Sequence, residues 1–161
     1  MRQSKRLLSL SAVVLIAACT DNSITNPMTD AAGTYQLTVY AGRSIPATYT
    51  IQPGDPSYPQ YPNGATFVVT NGTLVLNENG TFTETNNYQI TPPGGSPAPS
   101  SFVSNGTWSL NGTTFNMFAQ AQNGNGPRNI TGTLDTDING LLTVNYQEDN
   151  GAGLESYEYK R

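Results

Sequence analysis

A chain of 161 residues is long enough for one well-packed domain, and this one has no histidine and a single cysteine. The first absence excludes His-based acid–base and nucleophile chemistry and the usual zinc sites; the second excludes an internal disulfide. The formal charge is −4, and beyond residue 18 it becomes −7, because Arg43, Arg128, Lys160 and Arg161 stand against all eleven acids; such a surface repels phosphate backbones and anionic headgroups alike.

The chain opens with Arg2, Lys5 and Arg6, followed by a twelve-residue apolar run from Leu7 to Ala18 that ends at Cys19. A membrane span needs about 20 apolar residues, so this layout predicts an export signal. The stretch Ile16-Ala17-Ala18-Cys19 resembles the lipobox of bacterial lipoproteins. That resemblance implies diacylglyceryl transfer to Cys19, cleavage after Ala18, and membrane attachment through lipid. Thr20, not Asp, follows the cysteine, which by resemblance to enterobacterial sorting implies the outer membrane. Thr20 to Ala32 is polar, contains Pro27 and has no apolar period. Residues 19–32 are therefore expected to form a flexible tether reaching roughly 20 Å, with the folded domain at 33–161.

From Gly33 onward the apolar period is two, the spacing of half-buried strands. Tyr35, Leu37 and Val39 alternate with polar residues, as do Ala47, Tyr49 and Ile51. Phe67 and Val69 share a face, and Leu74 and Leu76 lead through a turn to Phe82. Trp108 and Leu110 follow, then Phe115, Met117, Ala119 and Ala121, then Ile130 and Leu134. Leu142, Val144 and Tyr146 precede the last pair, Tyr157 and Tyr159. Nine of the sixteen glycines follow asparagine, the preferred pair for tight hairpins, and Asn79-Gly80, Asn111-Gly112 and Asn139-Gly140 each lie between successive alternating runs. The prediction is an all-β fold, an antiparallel up-and-down meander of about eight to nine strands whose edges are hidden by closing into a barrel.

Four segments resemble lipocalin-like bacterial lipoproteins: Gly33-Thr34-Tyr35-Gln36-Leu37, the run from Gly72 to Phe82, Gly106-Thr107-Trp108-Ser109-Leu110, and the terminal Tyr157 to Arg161. Lipocalins carry Gly-x-Trp on the first strand, closed over by a basic residue near the last. Gly33-Thr34-Tyr35 keeps the glycine and an aromatic, and the resemblance implies Lys160 or Arg161 as the closing residue.

Several motifs have two readings. Asp135 to Gly140 has the opening spacing of a calcium loop, but Tyr146 stands where the last ligand should be Glu, and its flanks are strands; it is read as a hairpin turn, with no metal expected. Pro53, Pro56, Pro59 and Pro62 recur every third residue, as along a polyproline II edge, with Tyr58 and Tyr61 aligned on another. That segment is either a stiff lid presenting two tyrosines or a rigid surface loop, the second being preferred. Pro92 to Ser101 reads as a flexible connector. Glu84 has the inward parity of Phe82 and Tyr88, so it is either a polar handle in a cavity or is turned to solvent by a bulge or strand end, again the preferred reading. Asn71, Asn79, Asn105, Asn111 and Asn129 match the glycosylation pattern but fall at turns and strand ends of a bacterial export product.

The functional expectation is a lipid-anchored barrel at the cell envelope that binds a small, largely apolar molecule. Its cavity is expected to be lined by Trp108, Phe115, Met117, Val144, Tyr146 and Glu84, with Tyr58 and Tyr61 as a lid. The alternative is a non-enzymatic interaction or structural module with a filled barrel. Neither reading requires a cofactor, nucleic acid or catalysis.

Overall fold

The computed structural model describes residues 27–121, 126–136, 140–149 and 154–161. Among these residues one short helix, α1 (Pro27–Ala31), precedes ten strands: β1 (Gly33–Tyr40), β2 (Arg43–Ser44), β3 (Ala47–Ile51), β4 (Ala65–Leu76), β5 (Thr81–Thr91), β6 (Ala98–Asn111), β7 (Thr114–Ala119), β8 (Arg128–Thr136), β9 (Leu142–Asp149) and β10 (Leu154–Lys160). Strands β4 to β10 pair with their chain neighbours, all antiparallel, and β1 joins both β10 and β4. Eight strands, β1 and β4 to β10, thus close into an up-and-down barrel. The all-β meander read from the sequence is the fold.

Closure is incomplete at one end, and the seam explains β2 and β3. Only Gly33–Gln36 of β1 pairs with β4. Beyond that point the two strands diverge, β2 pairing with the end of β1 and β3 with the first half of β4. Both diverging strands carry an irregularity, between Leu37 and Val39 and between Val69 and Asn71. An extra residue bends a strand and moves its later side chains to the other face. This corrects the parity expected for Val39: Tyr35 and Leu37 are buried, but the next inward residue is Tyr40.

The α1 end of the barrel is solid. Tyr35, Leu74, Leu76, Phe82, Phe115 and Val144 are almost wholly inaccessible there. Gly106 contributes to this: a Cβ at that position would lie 1.9 Å from the Phe118 carbonyl oxygen and 2.9 Å from the Phe82 ring. Asn105-Gly106, like Asn71-Gly72, lies inside a strand. At the true hairpins Gly80 and Gly112 adopt φ of +79° and +60°. The Pro92–Ser101 connector is also shorter than expected, because Ala98–Ser101 pair with Ile90–Asn87 and extend β6.

The outer face is polar and cross-linked between strands: Thr83 donates to Asn105 at 2.8 Å, Asn87 to Asn71 at 2.6 Å and Thr131 to Asn116 at 3.2 Å. A lipid-facing barrel wall needs an apolar outer band instead. Among the described residues no helix is long and apolar enough to cross a membrane.

The tether expected over 19–32 does not extend to its last residues. Ala31 is fully buried, Tyr35 Oη donates to its carbonyl at 2.5 Å, and Arg161 donates to the Ala32 carbonyl at 2.5 Å and to that of Asp30 at 3.2 Å. A fragment beginning at Pro27 should fold with a β-type circular dichroism spectrum that survives chelator and reductant. A fragment beginning at Gly33 loses the buried Ala31 and the Tyr35 hydrogen bond to its carbonyl, and should be less stable by about 1–3 kcal/mol. Urea midpoints of the two would measure this, and identical midpoints would show that α1 contributes nothing.

Candidate functional site

A cavity of about 780 Å³ occupies the end of the barrel opposite α1, within the size range of small-molecule sites. It lies where β1 and β4 diverge. Five consecutive strands of the barrel each contribute a ring to its wall: Tyr88 (β5), Phe67 (β4), Tyr40 (β1), Tyr157 (β10) and Tyr146 (β9). Neighbouring rings touch in turn. Phe67 and Tyr88 have centroids 5.0 Å apart, Tyr40 and Phe67 6.4 Å, Tyr40 and Tyr157 5.0 Å, and Tyr146 stacks on Tyr157 at 4.9 Å. Such a belt offers both apolar area and the negative faces of the rings.

The proline-rich segment borders the mouth, and its conformation corrects the polyproline reading. Four backbone hydrogen bonds of three-residue span run in series: Asp55 to Gln52 (3.2 Å), Tyr58 to Asp55 (3.1 Å), Tyr61 to Tyr58 (2.9 Å) and Gly64 to Tyr61 (2.9 Å). Each bond closes a β-turn with proline at its second position, where the fixed φ suits the turn and the missing N–H is not needed. Polyproline II has no such bonds. The proline period of three therefore encodes a ribbon of linked turns. It brings Asp55, Ser57, Tyr58 and Gln60 to the cavity, whereas Tyr61 is half-buried and does not line it.

Glu84 lies on the cavity floor. The preferred sequence reading, solvent exposure through a bulge, is corrected: β5 is regular there, with Glu84 paired between Leu74 and Ser104, and Glu84 is only 3% exposed. Its burial is sustained by hydrogen bonds that all reach one oxygen. Tyr146 Oη and Tyr159 Oη each donate to Oε1 at 2.5 Å, and Asn86 Nδ2 at 3.3 Å. Burial, and then the charge of Glu84, hold the Tyr146 and Tyr159 hydroxyls well above the ordinary tyrosine range, so both stay protonated donors.

Nearer the mouth, Arg128 forms an ion pair with Glu148, donates to Ser104 Oγ at 3.4 Å and lies 5.6 Å over the Phe102 ring. Burial raises the Glu148 carboxyl, with Arg128 opposing the shift. Glu155 Oε2 accepts from Tyr157 Oη at 3.0 Å. Burial also raises the Tyr40 and Tyr157 hydroxyls. Among the described residues, four carboxylates (Asp55, Glu84, Glu148 and Glu155) thus share the cavity with one guanidinium.

Of the residues singled out in the sequence, Tyr146, Glu84 and Tyr58 line this cavity. Trp108, Phe115, Met117 and Val144 point inward and are buried, but they do not line it. Trp108 instead packs on Phe115, centroids 5.9 Å apart, and donates through Nε1 to the Asn77 carbonyl at 3.0 Å. Of the two expected closing residues, Lys160 pairs with Glu158 at 3.1 Å on the exterior, and Arg161 lies 5.9 Å over the Tyr35 ring beside α1. Cys19 lies outside the described residues, as do Asp137 and Asn139 of the calcium-like turn; Asp135 Oδ2 there accepts from Thr133 at 2.7 Å and Asn145 at 3.4 Å. Sequence reasoning missed Arg128, Glu148 and Glu155. The signal was strand parity, since each stands two residues from an inward Ile130, Tyr146 or Tyr157.

Compared with protein-family models and with curated proteins, the chain shows no match.

Proposed function

We propose that this protein is a lipocalin-like binding protein of the bacterial envelope, held through lipid on Cys19 to the membrane, the outer one by the sorting resemblance. In this reading it holds one small molecule with a substantial apolar body. The observation that carries the reading is the ring-lined cavity of about 780 Å³ above a solid half-barrel. Arg161 over Tyr35 supports the family resemblance, because it matches the pattern of a first-strand aromatic closed by a basic residue near the last strand. The reading is one of binding without catalysis. The chain has no histidine, Glu148 is paired with Arg128, and Glu84 accepts from two phenols through one oxygen.

Native mass spectrometry of the protein extracted from its own membrane tests this. A retained small molecule should appear as a defined mass excess. Ile90→Trp, which adds bulk at a half-buried position on the cavity wall, should remove that excess while the protein stays folded. Extracted protein without a bound molecule, in both the unaltered and the Ile90→Trp forms, would sink the reading in favour of an interaction module.

A further inference from the structure

We propose that the cavity selects an organic cation, an ammonium group on an apolar or aromatic body. The inference rests on the binding reading above and specifies the ligand's charge. Three observations combine, of which the first is the state of Glu84. The carboxylate is nine-tenths buried, its donors all converge on Oε1, and no donor among the described residues reaches Oε2. Oε2 is not one of the enclosed, partnerless atoms and so opens to the cavity, where an apolar occupant would strip its water without compensation and an ammonium would replace that solvation.

The second is the charge balance of the chain around the cavity. Arg128 is already paired with Glu148, while Glu84, Glu155 and Asp55 have no ion pair among the described residues. The other basic residues of the barrel are engaged elsewhere: Arg43 with the Thr48 carbonyl, Lys160 with Glu158, and Arg161 beside α1. Residues 122–125, 137–139 and 150–153, outside the described part of the barrel, contain no lysine or arginine in the sequence. Those residues therefore add no positive charge to the chain. An anionic ligand such as a fatty acid would add to the imbalance, and a cation would relieve it.

The third is the belt of rings. Cations bind over aromatic faces within about 6 Å of the centroid. Two rings of this cavity already take a guanidinium from the protein, Phe102 from Arg128 at 5.6 Å and Tyr49 from Arg43 at 4.8 Å. Tyr40, Tyr146 and Tyr157 take none among the described residues and stand near Glu84 and Glu155. A metal ion suits the site poorly, because among the described residues no three acidic side chains come together as a metal would need. Spread carboxylates and ring faces instead match a diffuse organic cation.

The test uses three soluble probes with the same phenyl body: phenethyltrimethylammonium, 2-phenylethanol and 3-phenylpropionate, each titrated calorimetrically into the full-length processed protein. The cation should bind at least about tenfold more tightly than the alcohol or the acid. Glu84→Gln, which keeps an acceptor for the two phenols and removes the charge, should erase most of that preference. If Glu84→Gln fails to fold, the double variant Asp55→Asn with Glu155→Gln at the mouth should reduce the preference instead. Alcohol or acid binding as tightly as the cation would overturn the assignment of charge and leave the binding reading standing. Failure of all three probes would also overturn it, and an empty native mass spectrum would in that case remove the binding reading as well. A preference that survives loss of the carboxylate charges would likewise refute it.

Discussion

Raising the pH above about 10 should unfold this protein cooperatively, well before its buried tyrosines ionise in the folded state. Tyr35, Tyr146, Tyr157 and Tyr159 are buried, and burial is the largest cause raising each hydroxyl. In the unfolded chain these phenols lose their protons near pH 10; in the folded chain they keep them. The unfolded state then binds fewer protons, so stability falls as pH rises, by about 1.4 kcal/mol per pH unit for each phenol. Four phenols give a loss of about 5.5 kcal/mol per unit, against a typical domain stability of roughly 5–15 kcal/mol. The contribution is fully present below about pH 10 and is exhausted within a few units above it. Tyrosinate absorbance and circular dichroism followed together should change in one transition. Phenols that titrate near pH 10 while the β spectrum persists would show that solvent reaches them in the folded state.

If Cys19 carries the proposed lipid, replacing it with serine should abolish acylation and the lipid anchor. Each buried methylene contributes about 0.8 kcal/mol, so two or three acyl chains anchor stably where a single chain is marginal. The polar outer face described above provides no second anchor, and the acidic balance of the chain is repelled by anionic lipid. The serine variant should therefore appear as a soluble barrel or as an uncleaved precursor. Fractionation with metabolic acyl labelling separates the outcomes, and a serine variant that is still processed and acyl-labelled would overturn the lipobox assignment.

Much of the fold was legible because barrel strands repeat with a period of two. Phe82, Glu84, Asn86, Tyr88 and Ile90 all face inward along β5, as the parity of the sequence requires. Parity failed at Val39, because one extra residue in β1 turns the later side chains over, and nothing in Leu37-Thr38-Val39 marks that irregularity. The prolines from Pro53 to Pro62 illustrate a different limit. A repeat of three is common to polyproline II and to linked turns, and the two differ only in the backbone hydrogen bonds formed. Glu84 illustrates a third: the cost of burying a carboxylate argued for exposure, and the donors that offset it lie 62 and 75 residues away in the chain.

The sequence by itself determined the all-β meander, the inward residues of most strands, the absence of disulfide and histidine chemistry, and the acidic balance of the chain. Those properties are local or compositional: side-chain alternation, turn residues and charge do not depend on which strands meet. Which inward residues fill the barrel and which surround a cavity was decided only by tertiary structure. Trp108, Phe115, Met117 and Val144 have the same parity signal as Tyr146, yet only Tyr146 lines the cavity. The difference comes from position along the barrel axis. Near α1 the strands close tightly through β1 and β4, and at the other end the same strands diverge and the turn ribbon borders the opening. Closure is a long-range pairing between strands, so the boundary between core and cavity exists only once the barrel has formed.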